Sequence, residues 1–346
     1  MALSRLNCCR WLLLYGKGES RPVRGWHSSC RLSTNTNPES LFSTILSRVK
    51  YVNEKYKTFL ERNFPRFYSL YSIFTKGFRL LISDGKEIRK IREKMSHQGL
   101  MFYQLPYREI EKLRQFRRDI IKAAPVVLLS IPPFANYLVF VLMYFFPRQL
   151  LIRHFWTAEQ QVEFLDVYHA MRVEAYPEVL AGLQQAVPQL SDQHLQKQML
   201  QLCTKVQRGS HPEVAELKGI SEAFSGPPLG LKYLKKHKMK ALSRVLFLTT
   251  HLPTFFLRRR LWSHTFELQK LDIALLKLGV SELSDEELKT ACYIRGLNST
   301  HLTAAECRKW LTQWLQLSSR LKDSEASLLL FSLVLLSTNY LSSPRH

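Results

Sequence analysis

The chain lacks the short motifs that build most catalytic and nucleotide-binding sites. It contains no G-x-x-x-x-G-K-[ST], G-x-G-x-x-G, G-x-S-x-G or H-E-x-x-H sequence and no twelve-residue calcium loop. Glycine is scarce, with 13 residues in 346, and the histidines are dispersed along the chain. These absences argue against loops that cradle phosphates and against an assembled base or metal site. We therefore predict a protein that is not an enzyme and binds no cofactor.

Cysteine pairs are also missing. Three of the six cysteines lie within the first 30 residues, and the other three, Cys203, Cys292 and Cys307, are scattered without a C-x-x-C pair. An odd number of isolated thiols gives neither a disulfide framework nor a zinc site. The chain is predicted to work in a reducing or thiol-neutral compartment.

Acidic residues are few, and their distribution is uneven. The chain carries 50 Lys and Arg against 28 Asp and Glu, a net charge of +22. Between Glu222 and Glu267 there is no acid, while basic residues accumulate. They are Lys232, Lys235, Lys236, Lys238, Lys240, Arg244, Arg258, Arg259 and Arg260. We expect them to bind an anionic partner, such as a phosphate backbone, a lipid headgroup or an acidic protein. The alternative is a solvated basic face.

Charge is absent altogether from residues 123–147. A helix of about 20 apolar residues spans a hydrocarbon core of about 30 Å, so this run predicts one transmembrane helix, kinked at Pro132 and Pro133. A buried core segment bent at Pro132 is the alternative. More basic residues precede the run than follow it, so the positive-inside rule would keep the N-terminal side in the compartment from which the helix inserts. This rule need not hold for a protein imported into an organelle, so the orientation stays open.

The first 37 residues are rich in Arg and Ser and contain one acid, Glu19. This composition is typical of a mitochondrial transit peptide, and a disordered basic tail is the alternative. Residues 40–122 follow with apolar residues at helical spacing over 41–60 and 67–95, which predicts basic amphipathic helices. A turn is expected at 97–103, and Pro106 opens the helix that leads into the apolar run.

The chain after the apolar run also indicates helices and few strands. Capping boxes begin at Thr157, Ser284 and Thr303, and Gly296 is placed to end a helix between the last two. A helix–turn–helix is therefore predicted over 284–318. The apolar run 328–336 is too short for a second span and is predicted to be a packed terminal helix.

Several blocks of the sequence resemble the LETM-domain proteins of the mitochondrial inner membrane. KGFRLLISDGKEIRKI (76–91) and LPYREIEKLRQFRRDIIK (105–122) resemble the helices that precede the family's membrane segment. IPPFANYLVFVLMYFFPRQL (131–150) resembles that proline-containing segment itself. EELKTACYIRGL (286–297) and WLTQWLQL (310–317) match the region around the family's A-C-x-x-R-G turn. Its signature residues here are Ala291, Cys292, Arg295 and Gly296.

The resemblance implies an all-α protein with one transmembrane helix followed by a LETM ribosome-binding-like (14-3-3-like) helical domain over 148–346. It implies a single-pass protein of the mitochondrial inner membrane with this domain in the matrix. For longer relatives it implies cation/proton exchange, volume control and respiratory-chain biogenesis. The coiled-coil tail and calcium-binding hand of those relatives are absent here, which puts calcium sensing and exchange in doubt.

The leading interpretation is a membrane anchor whose basic domain docks a mitochondrial ribosome or another anionic protein or RNA, supporting mitochondrial structure and respiratory metabolism. A cation/proton exchange factor or its regulator is the first alternative, and an uncharged lone span would then have to act as an oligomer. The second is a nuclear, chromatin-associated regulator. It is suggested by the resemblance of 284–317 to small DNA-binding modules and by the basic run 235–240. The outer mitochondrial membrane and the nucleus are the corresponding alternative locations.

Overall fold

The computed structural model describes residues 55, 58, 61–62, 65–129, 142, 145–150 and 152–340. The chain separates into two units, residues 1–68 and 69–346, and the second contains nearly all of the described residues. Every regular element in the described residues is a helix, which confirms the predicted all-α class for this part of the chain.

Twelve α-helices, some joined by short 3-10 turns, are formed by the described residues. They are α1 (Pro65–Gln98), α2 (Tyr107–Leu129), α3 (Pro147–Leu150), α4 (Ala158–Val173), α5 (Tyr176–Gln184), α6 (Gln193–Gln207), α7 (Val214–Gly219), α8 (Lys236–Val245), α9 (Thr254–Leu278), α10 (Asp285–Ile294), α11 (Ala304–Ser318) and α12 (Ser327–Leu335). The predicted amphipathic stretch 67–95 therefore lies within α1, whereas the stretch 41–60 falls almost entirely outside the described residues.

Local side-chain chemistry sets the starts of three helices, as the sequence predicts. The hydroxyl of Thr157 accepts a hydrogen bond from the backbone N–H of Gln160 at 3.2 Å. Ser284 and Thr303 accept in the same way from the residues three positions on, both at 3.3 Å. Each box satisfies amide groups that have no partner within the helix, which is worth about 1 kcal/mol.

The core surrounds α9, which packs against α2, α8, α11 and α12. All nine residues of α12 are buried, which confirms the predicted packed terminal helix. On α11, Trp310 and Trp314 are fully buried, and their rings stack with centroids 5.7 Å apart. The indole N–H of Trp310 donates to the carbonyl of Leu336 at 3.0 Å, so it fixes the end of α12 against α11.

The first part of α2, which precedes the apolar run, belongs to the same core. Leu105, Tyr107 and Ile110 are buried in the cluster that also contains the residues of α9 to α12. On the surface, Arg108 Nε lies 2.7 Å from a carboxylate oxygen of Glu287. The core therefore includes residues that precede residue 123, upstream of the predicted domain start at residue 148. The helical spacing of α2 identifies its apolar face but not the surface that covers this face.

None of the helices in the described residues combines the length and apolar character that a bilayer crossing requires. Most of the predicted span 123–147, with Pro132 and Pro133, lies outside the described residues, as does the predicted leader 1–37. Within the predicted span, the structure describes the last seven residues of α2, residues 142, 145 and 146, and the first residue of α3.

The two flanks of the predicted span lie side by side. Lys122 Nζ donates a hydrogen bond of 2.9 Å to the carbonyl oxygen of Arg148, which also accepts from the Tyr168 hydroxyl at 3.0 Å. Helix α3 packs against α2. A straight helix over 123–147 would separate these flanks by roughly 38 Å at about 1.5 Å per residue. The described flanks therefore do not have the separation of a straight helix, and the predicted kinked span, most of which lies outside the described residues, stays a prediction.

Candidate functional site

The predicted basic residues lie on α8, on the first half of α9 and on the turn before α8. In that turn, the N–H of Gly230 donates to the carbonyl of Gly226 at 2.7 Å. A Cβ on Gly230 would lie 2.8 Å from the same oxygen, so the close approach requires glycine. The turn leaves Lys232 and Tyr233 exposed beside α9.

Helix α8 separates its basic residues into different environments. Met239, Ala241, Leu242 and Val245 face the core, which leaves Lys235 and Lys236 exposed and Lys240 partly exposed. Lys238 falls on the buried side, and its stem packs over Gly182 on α5. The expectation that Lys238 belongs to the open basic surface is therefore wrong.

Arg244, at the end of α8, is exposed but already has a partner. Its Nη1 lies 2.6 Å from a carboxylate oxygen of Glu178 on α5. This ion pair ties α8 to α5 and leaves less positive potential for an external anion.

A groove of about 640 Å³ forms where the turn before α8 meets α9. Its basic lining comes from Lys232, Arg258 and Arg259, with one acid, Asp323, among the lining residues. Arg259 is exposed, and Arg258 is half-buried, with an Nε that has no hydrogen-bond partner in the described part of the chain. Arg260 is exposed but does not line the groove, because it lies on a different face of α9. We call this feature the α8–α9 groove because it lies between the turn that leads into α8 and helix α9; no residue of α8 itself lines it, so Lys236, Lys240 and Arg244 lie outside it.

Aromatic side chains share the α8–α9 groove with these cations. Tyr233, Phe255 and Trp262 all line it, and Trp262 is 58% exposed. The Trp262 ring stacks on Phe266, with centroids 5.5 Å apart and an interplanar angle of 13°. This aromatic row was not among the residues predicted from the sequence. Its signal was the spacing of 255, 262 and 266 on one face of a helix, which alone is equally typical of a core-facing stripe.

The signature residues do not line this groove but lie in the core. Arg295 is fully buried, and its Nε and Nη2 lie 2.8 and 2.7 Å from Asp272 Oδ1 on α9. The other oxygen of Asp272 accepts from Trp314 Nε1 at 3.0 Å and from the Ser318 hydroxyl. Burial lowers the pKa of Arg295, but the adjacent Asp272 carboxylate outweighs it and raises the pKa above its usual value. This network joins α9, α10 and α11.

The rest of the signature serves close packing. Ala291 and Cys292 are fully buried, and the Cys292 thiol approaches the carbonyl of Cys307 at 3.5 Å. Gly296 ends α10 with a φ of +107°, and a Cβ there would lie 2.7 Å from the Leu333 carbonyl oxygen. Glycine is therefore required both by the backbone conformation and by the contact with α12.

The groove combines residue types that can hold an anionic macromolecule. Arginine guanidinium groups bind phosphates, and exposed aromatic rings stack on bases or fill partner pockets. Among the described residues, no cluster of three or more His, Cys, Asp or Glu side chains could hold a metal ion.

Comparison with known proteins gives a consistent result. The family described as "LETM1-like, RBD" matches residues 105–335, a range that begins upstream of the apolar run, as the fold does. A Xenopus tropicalis protein, "LETM1 domain-containing protein 1", is 64% identical over 344 residues, covering 99% of this chain and 98% of that protein. The human protein of the same name is 51% identical over 318 residues, covering 92% of this chain and 88% of that protein.

A more distant relative is the "Mitochondrial proton/calcium exchanger protein" of Drosophila melanogaster. It is 29% identical over 276 residues, which cover 78% of this chain but only 26% of that protein. The family match covers about two thirds of the chain, and the Xenopus and human relatives align over nearly its whole length. The chain belongs to the LETM1-like family.

Proposed function

We propose that this chain is a non-enzymatic protein of the mitochondrial inner membrane whose α8–α9 groove docks a mitochondrial ribosome or another anionic partner. In this role it would support mitochondrial structure and respiratory metabolism. One observation carries the proposal. Lys232, Arg258 and Arg259 line a groove together with exposed Tyr233 and Trp262.

Ribosomal RNA fits this groove best among the anionic partners. Cationic side chains neutralise phosphates, and every base offers a face that can stack on an aromatic ring, so the two residue types act together on RNA. A purely acidic protein surface would engage the arginines but would leave the stacked rings of Trp262 and Phe266 without a matching contact. Lys270, 4.7 Å from the Phe266 ring centroid, extends the cationic character along α9.

The membrane attachment is proposed from the sequence and the flanks. Residues 1–37 would direct import, and the name of the Drosophila relative supports a mitochondrial location. Residues 123–147 would insert into the bilayer. Because Lys122 and Arg148 are hydrogen-bonded within one unit, this segment would enter and leave on the same side. The α8–α9 groove and α2 would then both face the matrix.

Salt dependence tests the docking. The full chain in detergent should sediment with mitochondrial ribosomes at low salt and be released as salt rises, because each neutralised phosphate releases counterions. The double variant Lys232→Gln/Arg259→Gln should lower the slope of log binding against log salt by roughly 1.5. The control Lys90→Gln/Arg92→Gln removes two exposed charges from α1 and should retain the wild-type slope.

Two results would contradict the docking proposal. One is ribosome association that does not respond to salt, and the other is equal loss of binding in the groove and control variants. Trp262→Ala separates RNA from an acidic protein partner. It should weaken ribosome binding by about 1–3 kcal/mol if a base stacks on the ring.

Ion exchange is the second candidate, favoured by the name of the Drosophila relative, a proton/calcium exchanger. Residues 123–147 contain no charged side chain, so an ion path through the bilayer would require several copies of the chain. Proton-coupled cation flux in proteoliposomes that contain only this chain would support this candidate. Flux equal to that of protein-free liposomes would leave docking as the function.

A further inference from the structure

A second cavity, of about 280 Å³, lies between α2, α4, the end of α8 and α10. It shares no lining residue with the α8–α9 groove. Five cationic side chains line it, against the two carboxyl groups of Glu111 and Asp119. The cations are Arg114, Arg118, Lys122, Arg153 and Arg172. Such an excess of buried positive charge is costly unless an anion meets it.

Arg114 shows how weakly this charge is neutralised. Its side chain is 4% exposed, and its Nε lies 3.8 Å from the nearest Glu267 oxygen, beyond hydrogen-bond distance. Both oxygens of Glu267 already accept from Arg117 Nη2 at 3.0 Å. The Arg114 Nε has no hydrogen-bond partner among the described residues. Burial, reinforced by the neighbouring Arg118, lowers the pKa of Arg114 to about 9.

Arg172 and Arg118 are held in place without a carboxylate partner in the described part of the chain. Arg172 is buried and donates to the carbonyls of Val245 at 3.1 Å and Tyr293 at 3.3 Å. Its guanidinium lies 5.2 Å from the ring centroid of Phe247 and 5.0 Å from that of Tyr293. Arg118 Nη2 approaches His264 Nδ1 at 3.4 Å. The guanidinium groups are therefore positioned before any ligand arrives.

The cavity adjoins the two ends of the apolar segment. Lys122 is the last cation before residues 123–147, and Arg153 follows closely after them. Lys122 Nζ lies 4.9 Å from the ring centroid of Trp156, which also lines the cavity. Lysine, arginine and tryptophan are enriched where a protein meets lipid headgroups.

We propose that this cavity binds the phosphate group of an anionic ligand, either a phospholipid headgroup or a soluble phosphate ester. Guanidinium forks match phosphate oxygens in geometry, and the volume accommodates a headgroup but not a nucleic-acid strand. Phosphate binding stands independently of ribosome docking, because the two sites share no residue. The proposal that the phosphate belongs to a lipid does rest on the proposed membrane location.

Ligand-dependent thermal stability of the full chain in detergent tests the site. Inorganic phosphate should raise the melting temperature more than chloride at equal ionic strength. In a second arm, vesicles of phosphatidylcholine with phosphatidylglycerol should retain the chain more strongly than phosphatidylcholine alone. Arg118→Gln should weaken the phosphate effect roughly ten- to hundredfold in affinity, the range for a lost charge-assisted hydrogen bond. Arg89→Gln removes the same charge from a side chain that is 82% exposed on α1 and should change neither response.

The outcomes distinguish the sources and the sites. A response to phosphatidylglycerol that Arg118→Gln removes assigns a lipid headgroup, and a response to phosphate alone assigns a soluble ester. The proposal is overturned if folded wild type responds to neither probe, or if Arg118→Gln and Arg89→Gln behave alike. Arg118→Gln should still sediment with ribosomes, so loss of phosphate binding is separable from loss of docking.

Discussion

The ion pair between Arg295 and Asp272 provides a stringent test of the core. Both side chains are at most 1% exposed, and the Asp272 carboxylate also accepts from Trp314 and Ser318. Substituting Arg295→Met retains a long apolar side chain but leaves the Asp272 charge with neutral donors only. Removal of one partner from a buried pair typically costs about 3–5 kcal/mol, because the remaining charge stays buried and unpaired.

For a domain of this size, each kcal/mol lowers the melting temperature by roughly 2–4 °C, so Arg295→Met should lower it by roughly 6–20 °C. Near-ultraviolet circular dichroism of the full chain in detergent reports this transition through Trp310 and Trp314. The double variant Arg295→Met/Asp272→Asn should recover more than half of the loss. The amide carries no charge, and its oxygen can still accept from Trp314.

Arg308→Met is the matched control. Arg308 makes a 3.5 Å ion pair with Asp285, and both side chains are largely exposed, so its loss should cost about 0–1 kcal/mol. If Arg295→Met is no more destabilising than Arg308→Met, or if the double variant is less stable than the single one, the unpaired-charge explanation is wrong.

Three further predictions concern the backbone, pH and topology. Gly296→Ala should lower stability by about 1–3 kcal/mol in chemical unfolding, because it adds a contact with the Leu333 carbonyl to the positive-φ strain. Gly99 also has a positive φ, but a Cβ there would meet no atom within 4 Å, so Gly99→Ala should lower stability less. Equal losses for the two variants would show that the contact with Leu333 does not contribute. Burial lowers the pKa of His169 to about 4, so below pH 6.5 the unfolded chain binds a proton that the folded chain does not, and stability falls as pH drops toward 4. The difference in unfolding free energy between wild type and His169→Phe should therefore change with pH, by up to about 1.4 kcal/mol per pH unit between about pH 6.5 and 4. A difference that does not depend on pH would contradict the lowered pKa of His169. Finally, single cysteines at the exposed positions Ser96 and Glu159, on opposite sides of the apolar segment, should react with an impermeant thiol reagent from the same side of the membrane. Reaction from opposite sides would restore a single crossing.

Much of the local structure is determined by the sequence alone. The capping boxes at Thr157, Ser284 and Thr303, the break between α1 and α2, and the buried terminal helix α12 all follow from residues within a few positions of each other. The sequence blocks around Arg295 also predicted the family, which the family match confirms. These features are short-range, because caps, turns and apolar periodicity act over one or two helical turns.

The assignment of charged residues to core or surface was decided only by tertiary structure. Lys238 and Arg259 carry the same charge in the same basic region, yet α5 covers the first and nothing among the described residues covers the second. Asp272 meets Arg295 across 23 positions, and the cationic cavity draws Arg114, Arg153 and Arg172 from separate segments. Helical periodicity shows which face of a helix is apolar, whereas the neighbour that covers this face depends on long-range packing. For the same reason, the sequence does not predict the hydrogen bond between Lys122 and Arg148. That contact depends on the packing of α2, α3 and the rest of the domain into one folded unit.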